Sequence, residues 1–228
     1  MPRWIPLESN PELLTQYSHK LGLPSSYCLS EVFSPDLLDI VPSPRFAVIF
    51  LFPTTLPNNN NSSQNATGSG DDGTNQQPFF MRQTIDNACG TIALLHAFCN
   101  NKDVLDVNKG SFIDKYYNAV KDKSPKERGE YLEKSKELDE AQETFARQGQ
   151  TSTPNRGDKV ELHFVCFVEK EGFLYELDGR YENPTKYGKC GKDDLLQESF
   201  KVIQEQYMKK DPKETRFNVL ALTPQGAM

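Results

Sequence analysis

The apolar positions of the chain fall into a few sharply bounded runs. Phe46-Ala47-Val48-Ile49-Phe50-Leu51-Phe52 is continuous, rich in β-branched and aromatic residues, and flanked by prolines. That pattern predicts a strand buried on both faces. Cys89 to about Phe98 is apolar on every side of a helical wheel, which predicts a central helix. Asn10-Pro11-Glu12 and Ser34-Pro35-Asp36 each set a capping residue before proline and an acid, predicting helices at about 11–21 and 35–40. A further helix is expected at about 111–121, and Ser124-Pro125-Lys126-Glu127 is a capping box opening a long charged helix to about Ala146. Glu161 to Val168 and Phe173 to Leu177 read as a hairpin turning at Lys170-Glu171-Gly172. A helix at about 193–209 and a strand from Phe217 to Leu222 close the chain, with no internal repeat.

Two polar stretches interrupt this order. Residues from Pro57 to about Gln77 are Asn, Ser, Gly, Gln and Asp with almost nothing apolar, and are expected to be a disordered surface insertion (about 57–77). Gln148 to Lys159 is a polar loop of a length at which lids and binding loops become common. With 228 residues the chain has room for one well-cored domain, spanning 1–228, and not for two of ordinary size. A formal charge of -6 with no cluster of basic residues argues against a nucleic-acid binder and favours a basic partner surface. The N-terminus lacks the apolar core of a signal peptide and no run is long enough to span a membrane. Its five cysteines are scattered without a C-x-x-C, as in reduced intracellular proteins. A cytoplasmic location, with the nucleus also open, and a monomeric state are the expectations.

One of those cysteines stands apart. In Gln83-Thr84-Ile85-Asp86-Asn87-Ala88-Cys89-Gly90-Thr91 a turn-prone approach ends where the apolar helix begins, placing Cys89 in the first helical turn. The unpaired N–H groups and positive dipole end there stabilise a thiolate. A nucleophilic thiol needs an imidazole and the imidazole an orienting group. Of three histidines, His19 lies in the first amphipathic helix, where a solvated surface role is expected. His96 is two helical turns from Cys89, about 10 Å along the axis, and is expected to pack. His163 begins a strand whose hairpin partner ends in Leu177-Asp178-Gly179-Arg180. A two-residue loop at Lys170-Glu171 sets His163 directly opposite Asp178, about 5 Å away; one at Glu171-Gly172 makes them diagonal neighbours on one face, about 7 Å away. Either register lets the carboxylate hold one ring nitrogen and leaves the other for the thiol. Gln83 adds a side-chain amide able to donate to an oxyanion beside the Cys89 N–H. A zinc site from Cys89, His96 and Cys99 is excluded, because positions so far apart along one helix cannot share a metal at about 2.0–2.3 Å. No metal or cofactor is expected.

Gln83 to Ala97, Leu162-His163-Phe164 and Tyr175-Glu176-Leu177-Asp178-Gly179-Arg180 together resemble the ubiquitin C-terminal hydrolases. Trp4-Ile5-Pro6-Leu7-Glu8-Ser9-Asn10-Pro11-Glu12 and the Arg216-Phe217-Asn218 ending are similar to the short, single-domain members, and the likeness covers the chain apart from about 57–77. The resemblance implies an α/β (α+β) fold: a central antiparallel six-stranded sheet between helical layers, a papain-like core and a knotted backbone, the last a departure from ordinary topology rules. It implies a thiol hydrolase cleaving small adducts from the C-terminal glycine of ubiquitin. Cys89 would be the nucleophile, His163 the base, Asp178 its orienter and Gln83 the oxyanion donor. The stretch at about 148–159 matches the family's loop that crosses the active site and limits leaving-group size. Glu8, Glu12 and Glu31 are candidate ubiquitin contacts, from the acidity of the N-terminal third and from the likeness. Two alternatives stay open: a ubiquitin-binding module with a silenced site, against which stands the presence of all four site residues, and a hydrolase acting on a ubiquitin-like protein.

Overall fold

A computed structural model describes residues 3–56, 77–150, 158 and 160–226. Most of the polar insertion (57–76) and of the second polar loop (151–157 and 159) therefore lies outside the described residues. In chain order the elements are α1 (Pro11–Leu21), β1 (Tyr27–Glu31), β2 (Ala47–Pro53), α2 (Cys89–Asn100), α3 (Lys102–Leu105), α4 (Phe112–Val120), α5 (Pro125–Leu132), α6 (Lys136–Ala146), β3 (Leu162–Lys170), β4 (Phe173–Leu177), β5 (Thr185–Lys189), α7 (Leu195–Gln206) and β6 (Asn218–Pro224). The strands form one sheet in the order β1-β6-β2-β3-β4-β5, with every neighbouring pair antiparallel.

Strand alternation divides the core. Ala47, Ile49 and Leu51 of β2 join Phe164 and Cys166 of β3 in a cluster with α1, α2, α4, α5 and α6. Val48, Phe50 and Phe52 join Val165 and Phe167 in a second cluster beneath α7. Because β2 is central, both its faces are covered and all seven of its residues are buried, which is why its sequence does not alternate. The helix α2 is likewise buried along ten consecutive residues, Gly90 to Cys99.

Two expectations change, for the long charged helix and His19, and two features are new. Residues 35–40 form a 3-10 helix, capped by the Ser34 side chain on the Asp36 N–H, rather than an α-helix. The long charged helix is two: α5 ends at Leu132 and Ser135 recaps the chain through the Leu138 N–H. A serine at that position competes for backbone donors and starts a new helix instead of continuing the old one. The edge strands β1 and β5 carry no apolar run; β1 buries only Leu29 and β5 buries nothing fully, so their pairing is a tertiary effect. His19 is half-buried rather than solvated, its Nε2 lying 2.8 Å from the Tyr27 carbonyl, where it ties α1 to β1. Among the described residues no helix is long and apolar enough to cross a membrane.

Candidate active site

The site forms where the N-terminus of α2 meets the start of β3. Asn87 takes a left-handed conformation (φ 62°), which asparagine tolerates better than most residues, and turns the chain into the helix. Its amide donates to the Trp4 carbonyl, and Gln142 of α6 donates to the carbonyls of Ile5 and Asn87. Thr91 donates to Gln142 Oε1 at 2.5 Å and bonds the Tyr17 hydroxyl at 3.0 Å. This buried network pins the first turn of α2 between α1 and α6. No side chain caps α2, so its first-turn N–H groups remain available to the Cys89 sulfur, which also receives the Phe164 N–H and a hydrogen bond from His163. Burial alone would raise the Cys89 pKa; the hydrogen bond and charge of His163, with the backbone donors, outweigh it and hold the thiol below its ordinary value. By contrast, burial without such partners pushes the thiols of Cys99 and Cys166 far up, and that of Cys190 to about 12.

The hairpin register sets how His163 meets Asp178. Lys170 pairs with Phe173, so the loop is Glu171-Gly172, with both residues at positive φ (51° and 79°), a conformation type I′ hairpins require. His163 and Asp178 are thus the diagonal neighbours of the second register, and the long reach is closed by His163 Nε2 donating to Asp178 Oδ1 at 2.8 Å. The other nitrogen, Nδ1, is left to Cys89. Burial would lower the His163 pKa, but the Asp178 charge and hydrogen bond, with Cys89, raise it to about 9. Asp178 is buried as well, which raises its pKa; the imidazole and Arg180 overcome that and hold it well below the usual carboxylate range. A lowered thiol beside a raised imidazole favours a thiolate–imidazolium pair before any substrate arrives.

Arg180 has a part that the spacing argument left out. Its guanidinium grips Asp178 through Nη2 to Oδ2 at 2.6 Å and Nε to both oxygens, while its backbone N–H donates to Oδ1. The signal was present in the sequence, as a cation two residues beyond a buried acid. Phe52 supports the same group, edge-on to the His163 ring and under the Arg180 guanidinium.

Gln83 shares a cavity of about 310 Å³ with Cys89 and His163. Its backbone N–H donates to the Gly179 carbonyl at 2.8 Å, an approach that a side chain at Gly179 would obstruct, since a Cβ there would lie 3.0 Å from that nitrogen. The Gln83 side-chain amide spends one N–H on the Ile85 carbonyl and keeps a second that can donate elsewhere. A second cavity of about 430 Å³ adjoins Cys89 on the other side and is largely apolar, lined by Leu7, Leu51, Leu162, Phe164 and Phe217 among others. Val160 and Leu162 border both cavities. Of the three acids, Glu8 lines the larger cavity and closely faces Gly149, and Glu31 accepts from Asn218, which lines that cavity too. Glu12 stands apart, exposed on the first turn of α1. Among the described residues no three His, Cys, Asp or Glu side chains gather as a metal site.

A helix-borne thiol facing a strand-borne imidazole across the end of an antiparallel sheet defines a cysteine hydrolase of papain-like architecture. Residues 4–209 match the family model for ubiquitin carboxyl-terminal hydrolase, family 1. The chain is 40% identical to a ubiquitin carboxyl-terminal hydrolase of Drosophila melanogaster, covering 98% of both chains. It is 35% identical to ubiquitin carboxyl-terminal hydrolase isozyme L1 of Rattus norvegicus, over 95% of this chain and 96% of that one. The catalytic domain of Trichinella spiralis UCH37, solved bound to ubiquitin vinyl methyl ester, superposes with a TM-score of 0.79 at 24% identity, covering 99% of this chain and 97% of that one. The chain belongs to the ubiquitin carboxyl-terminal hydrolase family.

Proposed function

We propose that this hydrolase cleaves esters and amides at the C-terminal glycine of ubiquitin through a covalent thioester on Cys89. The observation that carries the reading is the unbroken line Cys89–His163–Asp178, with Gln83 opening into the same cavity as the thiol. The Cys89 thiolate attacks the glycine carbonyl carbon, forming the C–S bond while the carbonyl π electrons move to oxygen. The Gln83 amide and the Cys89 N–H stabilise that oxyanion. Collapse of the intermediate breaks the bond to the leaving amine or alcohol, which takes the Nδ1 proton of His163. The neutral imidazole then accepts a proton from water as the water attacks the thioester. The thiolate is expelled, His163 is again cationic, and the product leaves as a carboxylic acid that gives its proton to solvent. Throughout, Asp178 keeps the Nε2 proton in place, and Arg180 keeps Asp178 in place.

The two cavities divide the substrate. The larger, apolar one accommodates an extended acyl-side tail, with Glu8 at its wall to meet basic side chains. The smaller lies on the His163 side, where the leaving group must receive its proton, and its volume of about 310 Å³ suits small adducts or short peptides. Glu12 and Glu31 are proposed as outer contacts to a basic partner surface. A ubiquitin C-terminal ester is the test substrate: Cys89→Ala abolishes turnover, and retained turnover would sink the assignment. Folded ubiquitin conjugates are cut far more slowly than esters, and equal rates would refute the size restriction. Faster hydrolysis of a ubiquitin-like protein's ester than of ubiquitin's would move the substrate assignment without touching the chemistry.

A further inference from the structure

The segment carrying Gln83 has no strand neighbour, yet residues 79–83 run buried or half-buried alongside α2. Their backbone groups must find partners elsewhere. Asn100 takes both polar groups of Phe79, at 2.7 and 2.8 Å, and Arg128 donates to the Phe80 carbonyl at 2.8 Å. The Arg82 N–H goes to the Pro125 carbonyl and the Gln83 N–H to Gly179. Between them the Met81 N–H donates to His96 Nε2 at 3.0 Å.

His96 is 0% exposed and is not used by the hydrolytic steps. Its ring stacks on Phe80, with centroids 5.2 Å apart and planes inclined by 14°. Acceptance at Nε2 leaves the ring proton on Nδ1, a buried atom without a hydrogen-bond partner among the described residues, with the Leu177 backbone beside the ring. The histidine therefore links three parts of the site. It stands on the helix that begins with Cys89, it holds the backbone two residues before Gln83, and it abuts β4 one residue before Asp178.

We propose that His96 is a positioning residue: by accepting the Met81 N–H it fixes the Gln83 amide relative to the Cys89 sulfur, because both are then referenced to one rigid helix. The inference rests on the reading of Gln83 as oxyanion donor. An error of about 1 Å in such a donor costs on the order of 100-fold in rate. Removing the acceptor leaves a buried N–H unpaired, which the segment relieves by shifting.

The test uses the full chain, a ubiquitin C-terminal ester and iodoacetamide. Alkylation of Cys89 forms a C–S bond by displacing iodide and creates no oxyanion, so it reads the thiolate alone. His96→Leu is expected to lower kcat about 10- to 100-fold with KM near wild type, while Cys89 alkylation stays within about twofold. His96→Gln, whose Oε1 can accept the Met81 N–H, restores most of the loss. In a Gln83→Ala background His96→Leu adds less than about threefold, since the donor it positions is already gone. Equal losses in turnover and alkylation, or undiminished loss in the double variant, would overturn the proposal. Should the leucine variant fail to fold, His96→Asn, too short to reach Met81, is compared with His96→Gln; equal kcat in the two overturns it as well. An unchanged kcat in Gln83→Ala alone would remove the oxyanion reading itself. A loss there without one in His96→Leu would overturn only the positioning role.

Discussion

His96 and His163 are both buried, and both feel the Asp178 carboxylate, yet they hold protons in opposite ways. At the sheet end, His163 donates directly to Asp178 and faces a thiol, and its pKa rises to about 9. In the middle of α2, burial dominates, no carboxylate touches His96, and its pKa falls to about 4. The lesson is that burial alone does not assign a histidine its charge. A charge-assisted hydrogen bond outweighs desolvation at one site, and its absence lets desolvation win at the other.

The comparison breaks most visibly at His163. His163→Gln removes the group proposed to take and return the proton, and steady-state hydrolysis of a ubiquitin ester should fall by roughly four to six orders of magnitude. Next is Asp178→Asn, which keeps the shape but loses the charge that raises the imidazole. The expected loss in kcat is about 10³- to 10⁴-fold, accompanied by a fall of the His163 pKa toward its ordinary 6.5, read by NMR titration. An unmoved imidazole pKa would show that Asp178 is not what separates the two histidines.

The smallest effect lies in stability. His163, with a raised pKa, contributes stability that is complete below 6.5 and lost as pH rises through about 9. His96, a base whose pKa is depressed in the fold, does the reverse. The unfolded chain binds the proton first, so stability falls as pH drops from 6.5 to about 4, by up to about 3 kcal/mol. Asp178 adds to the acid side, its contribution being present above 3.8 and lost as pH falls further. Denaturant unfolding of His96→Gln should show a flatter decline between pH 6.5 and 4 than wild type; a decline of the same steepness would mean His96 is not buried neutral.

Much of this site is legible in the sequence alone. Cys89 was marked by the change from turn residues to an apolar helix, and His163 by its parity with Asp178 across a hairpin. The spacing allows two registers, and the left-handed pair Glu171-Gly172 selects the diagonal one. What stayed hidden depends on side chains meeting backbone from distant segments. The hold of Asn100, His96 and Arg128 on residues 79–81 has no sequence period, and the polar edge strands β1 and β5 are strands only because the sheet accepts them. Arg180 sat in plain view but needed the bidentate geometry to acquire a role.

The pairing of Cys89 with His163 in the resting protein is the centre of the account, and the pH dependence of Cys89 alkylation by iodoacetamide, followed at that residue by mass spectrometry, tests it most directly. The rate should reach a plateau below the ordinary thiol value of 9.0 and change again near pH 9 as His163 loses its proton, with the lower step displaced in Asp178→Asn. A single rise centred at 9.0, identical in the two proteins, would contradict it.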